Sequence, residues 1–125
     1  MENNNFVRIT MTSMGDTGPD KSCLVKILCM IDCESMIVGG EWFGKVINDG
    51  ATHPFVLTST GTLDYGHDEN GAKQVEHTTI KDKKMVENEY VTVSGDDDGV
   101  VFESVFKITE IHKYLSVGSN TIAIK

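Results

Sequence analysis

The chain has 125 residues, enough to close one hydrophobic core but marginal for two, so a single β-rich domain over residues 1–125 is expected. Eleven basic against 19 acidic residues give a formal charge of −8. That field repels phosphates and anionic lipid, which sets nucleic acid and membrane surfaces aside as expected partners.

The opening residues Met1–Asn5 carry neither the basic start nor the apolar run of a secretory leader. The three cysteines, Cys23, Cys29 and Cys33, are odd in number and crowd one short stretch, which suits reduced thiols and a cytoplasmic location. The longest apolar region, Cys23 to Ile31, is interrupted by Lys26 and falls short of the ~20 residues needed to cross a bilayer as a helix.

Phe6 to Thr12 alternates, with Val7, Ile9 and Met11 on one side and Arg8, Thr10 and Thr12 on the other, as a half-buried strand requires. A breaker-rich loop, Gly15 to Asp20, follows. The next segment is ambiguous. Leu24, Ile27, Leu28 and Ile31 fall at helical spacing, whereas Cys23, Val25, Ile27, Cys29 and Ile31 alternate. The apolar residues nearly surround a helix instead of striping it. We therefore read a central strand over residues 22–31, buried on both faces, then a turn at Asp32–Ser35; the alternative is an α+β fold with one helix near residues 20–38.

Trp42 to Ile47 and His53 to Ser59 flank Asp49-Gly50, a hairpin signal, because such a turn needs positive φ. Pro54 lacks a backbone donor and places its strand at a start or an edge. Thr62 to Tyr65 is a short strand, Gly66 to Gly71 a polar loop, and Gln74 to Ile80 a further strand before the charged turn Lys81–Lys84. Glu89 to Ser94 and Val100 to Ile111 form a hairpin around Asp98-Gly99, with Val100, Phe102, Phe106 and Ile108 on one face. Thr121 to Ile124 reads as a terminal strand. The sum is an all-β fold of about eight strands, either a small antiparallel barrel or a two-sheet sandwich.

Few patterns carry chemistry. His53, His67 and His77, with Asp64 and Glu69, supply the side chains of a metal or acid–base site, although neither His-x-His nor His-x3-His spacing occurs. Thr58-Ser59-Thr60 lacks the glycine before the serine that a nucleophile elbow needs. Asp96–Gly99 does not fit a calcium loop, since Ser94 and Val105 fall where carboxylates belong. Trp42, Phe43 and Tyr65 are candidates for a ligand or interface surface.

No catalytic residue and no cofactor is assigned. The expected function is a non-catalytic binding or assembly module that self-associates or binds another protein. Its stimulus is the apolar surplus at Met30, Met36, Ile37, Val38 and Trp42. The alternatives are a metal-dependent or acid–base enzyme built on the histidine region, and an acidic inhibitor that docks on a basic partner.

Overall fold

A computed structural model of the protein describes residues 3–97 and 99–118. Eight antiparallel strands run in sequence order around a closed barrel: β1 (Asn3–Gly15), β2 (Gly18–Ile31), β3 (Trp42–Asn48), β4 (Ala51–Leu57), β5 (Thr62–His67), β6 (Lys73–Thr78), β7 (Tyr90–Asp97) and β8 (Val100–Gly118). β1 closes the ring on β8, with Ile9 opposite Ile111 and Met11 opposite Ile108. The barrel is thus chosen over the sandwich. Closure gives every strand two neighbours and removes the free edges that invite aggregation.

The ambiguous segment is a strand, not a helix: Gly18–Ile31 pairs with β1 and β3, and the α+β alternative is overturned. Nor is it buried on both faces. Cys29, Ile27 and Val25 point inward and are at most 2 % exposed, whereas Lys26 and Leu28 lie on the outside of the wall. Its helical spacing arose because Leu24 and Leu28 stand on the outer face opposite Ile47 and Phe43. The expected turn follows, fixed by Asp32 Oδ1, which accepts from the amides of Glu34 at 2.8 Å and Met36 at 3.0 Å.

The hairpin β3–β4 turns on Asp49 and Gly50, both at positive φ (49° and 84°), the geometry that matches strand twist. Pro54 sits inside β4 opposite Lys45. It is tolerated because β4 meets β5 only at Val56–Asp64 and Leu57–Leu63, so the proline's other side faces no ladder. β6 likewise meets β7 only at His77–Ser94 and Thr78–Val93. The β5–β6 hairpin is therefore joined to the ring mainly near its base. Thr121–Ile124 lies outside the described residues.

The β1–β2, β3–β4, β5–β6 and β7–β8 hairpin connections gather at one end of the barrel, and the β2–β3, β4–β5 and β6–β7 connections gather at the other. That second end is plugged. Ile37, Ile80 and Met85 are buried there, Ile80 opening a single 3-10 turn (Ile80–Asp82). Fully burying such a side chain contributes roughly 1.5–3 kcal/mol. Lys81 Nζ donates to the carbonyls of Gly39 at 2.6 Å and Ser59 at 3.2 Å, and Met85 N donates to Ser35 O at 2.7 Å, so the loops brace one another.

Trp42 packs on the core and donates its indole N–H to Val38 O at 2.9 Å. Of the apolar residues that suggested an interface, Ile37 is buried at this end, Trp42 packs on the core, and Met30, Met36 and Val38 are part-buried. Gly44 has a steric role: a Cβ there would collide with the Lys26 carbonyl and come within 2.6 Å of the Phe55 ring.

Candidate functional site

At the unplugged end, inward side chains from β2 to β8 surround a cavity of about 450 Å3. Its depth is graded. Val25, Val93 and Phe106 form a buried apolar floor with the part-buried Val46 beside them. Above them stand Cys23, Tyr65, Glu76, Phe102 and Ser104, each part-buried. Asn48, His53 and Gln74 make an exposed polar rim. An apolar base with a few convergent polar groups is the usual make-up of a small-molecule site, and the volume lies within the ~300–1,000 Å3 typical of one. An eight-stranded barrel is just wide enough to hold one small ligand.

The inward carboxylate is placed by register. Leu63 on β5 faces Glu76 on β6, an irregularity follows Asp64, and Gly66 then faces Gln74. Tyr65 sits at that irregularity, and its hydroxyl donates to Glu76 Oε1 at 2.6 Å. Its ring meets Phe55 edge to face, with centroids 5.8 Å apart. Burial, then the bond to Glu76 and its charge, push the Tyr65 phenol well above its ordinary value. The Cys23 thiol is also raised, first by burial and then by the negative charges of Asp20, Asp49 and Glu76. Both groups stay protonated near neutral pH, so neither is poised as a nucleophile or base.

The sequence-derived candidates are dispersed. His53 lies on the cavity rim, whereas His67 ends β5 and His77 is on the outside of β6, both exposed. Asp64 points outward, accepts from Gly66 N at 2.8 Å and faces Lys73 Nζ at 3.5 Å; Glu69 is in the exposed loop beyond. Among the described residues, no three His, Cys, Asp or Glu side chains gather closely enough to hold a metal ion. Trp42, Phe43 and Tyr65 part company too: Trp42 supports the plugged end, Phe43 is 65 % exposed on the outer wall, and only Tyr65 reaches the cavity. Asp96 Oδ1 accepts from Gly99 N at 2.7 Å, an ordinary turn bond.

Sequence reasoning missed Glu76, Gln74, Asn48 and Ser104 as lining residues. One signal for them existed. Gln74 to Thr78 has polar residues on both faces, which a strand against an apolar core does not allow.

A second feature lies on the outer wall of β8, β1, β2 and β3. Leu28 is paired across strands with both Arg8 and Phe43, and with Tyr114 these residues line a shallow depression beside Lys26 and Lys45. Leu28 and Tyr114 are 41 % and 49 % exposed. Arg8 donates to Tyr114 Oη at 3.2 Å and lies 3.6 Å from Glu110, yet its buried Nε has no hydrogen-bond partner among the described residues.

No family model, curated protein or solved structure matches the chain. No described helix is long and apolar enough to cross a membrane.

Proposed function

We propose that the protein is a non-catalytic binding module whose barrel mouth takes up a small organic molecule. The observation that carries this reading is the cavity itself, apolar at its floor and polar at its rim, in a barrel otherwise filled by side chains. The raised Tyr65 and Cys23 groups stay protonated near neutral pH, and among the described residues the histidines are dispersed and no three ligating side chains gather, which favours binding over chemistry in this reading. A neutral, environment-sensitive dye tests the proposal. It should gain fluorescence on binding the native chain, and Ser104→Trp, which fills the mouth with an indole, should abolish the gain while the circular dichroism stays that of a β-barrel. Equal dye binding by Ser104→Trp, or none by the native chain, overturns the reading.

A second reading, self-association, draws on the outer-wall patch of Phe43, Leu28 and Tyr114, since contiguous exposed apolar residues mark interfaces. Light scattering on a size-exclusion column is the check. The native chain should exceed 13.7 kDa in mass and Phe43→Asp should return it to that value; a monomeric native chain at high concentration removes this reading.

A further inference from the structure

We infer that the molecule taken up in the mouth is an amphiphilic organic cation, a primary or secondary amine whose ammonium meets Glu76 while its apolar end rests on the floor. This rests on the cavity reading and adds to it the charge of the ligand. Glu76 is the one carboxylate, and no Lys or Arg occurs, among the described residues that line the cavity. Tyr65 occupies Oε1 of that carboxylate, and Oε2 has no protein hydrogen-bond donor among the described residues. An ammonium placed there gains a charge-assisted hydrogen bond, shorter and stronger than a neutral one. The aromatic side chains of Tyr65 on β5 and Phe102 on β8 also line the cavity, and aromatic faces attract cations.

The surroundings act in the same sense. The hairpin turns that frame the mouth and the strand ends beside them carry Asp16, Asp20, Asp49, Asp68 and Glu69, answered by Lys21 and Lys73. Lys73 is turned toward Asp64 on the outside of the barrel. A cleft lined by one sign of charge raises the local concentration of the opposite sign. A carboxylate ligand meets the reverse: it would be stripped of water beside Glu76, with no Lys or Arg among the described lining residues and His53 only at the exposed rim. An inorganic cation is poorly served, because among the described residues no cluster of three ligating side chains forms and much of the cavity is apolar.

Three probes of one skeleton decide the matter: phenylbutylamine, phenylbutanol and phenylbutanoate, titrated calorimetrically into the full native chain at neutral pH. The amine should bind about tenfold or more tightly than the alcohol, as a charge-assisted hydrogen bond implies, with the carboxylate weakest. Raising salt should weaken the amine and leave the alcohol unchanged. Glu76→Gln, which keeps an acceptor for the Tyr65 hydroxyl, should bring the amine down to the level of the alcohol. If the alcohol or carboxylate binds as tightly as the amine, the cationic assignment is overturned and the cavity reading stands. If none of the three binds, both fall. The comparison on the native chain decides the assignment even where the variant does not fold.

Discussion

At the plugged end of the barrel, Ile80 and Met85 are each 1 % exposed, and three loops are tied together through Lys81 Nζ and Met85 N. At the mouth, the inward positions of the same strands carry Asn48, His53, Gln74 and Glu76, and the connections are hairpin turns that do not fold over the opening. One ring of strands therefore has two interiors, one closed over by loops with apolar tips and one left for solvent or ligand. The difference comes from the loops that cover one end, from which side chains point inward, and from strand pairing, since β4–β5 and β6–β7 pair only toward the plugged end.

Substitution should expose the contrast most strongly. Met85→Ala leaves a void under the plug and is expected to destabilise by about 2–5 kcal/mol. Asn48→Ala at the rim is expected to stay within about 0.5 kcal/mol. Denaturant unfolding of both variants measures the pair, and equal losses would break the distinction between the ends.

Alkaline pH acts next, through the thiol behind the plug. Burial pushes Cys29 up to about 12 from an ordinary 9.0, so the unfolded chain releases this proton first. The stabilisation is complete below pH 9 and is lost as pH climbs through 12. Cys29→Ala should flatten the fall in unfolding free energy over that window. Tyr65 and Cys23, shifted in the same direction, will leave some slope behind.

The smallest effect is local. Amides in the outer half of the β5–β6 hairpin should exchange hydrogen faster than those of β1 and β2, because that hairpin holds each neighbour by two residue pairs near its base. Uniform protection around the ring would show the hairpin to be as firmly held as the rest.

How far the residues themselves disclosed this arrangement differs between scaffold and site. The alternation of Val7, Ile9 and Met11, and the Asp49-Gly50 turn, are local signals, and the fold honours both. Cys23–Ile31 was ambiguous because an outer wall that carries Leu24 and Leu28 imitates helical spacing; only its neighbours β1 and β3 settle it. The site was largely illegible for a different reason. Gln74 and Glu76 are polar residues facing inward, the reverse of what hydrophobic patterning assumes. Tyr65 meets Glu76 through a register irregularity, and Ser104 and Asn48 approach them only because the sheet closes on itself. The histidines drew attention by residue type, yet strand polarity sent His77 outside and left His53 at the rim.

The seam between the first and last strands also fixes how the molecule can be held. Asn3 lies opposite Gly118, so β1 begins and β8 ends side by side at the plugged end, a barrel's height from the mouth. A tether joined at either strand end therefore leaves the opening pointed toward bulk solution. Immobilised on a sensor surface by such a tether, the protein would turn the cavity mouth toward the analyte.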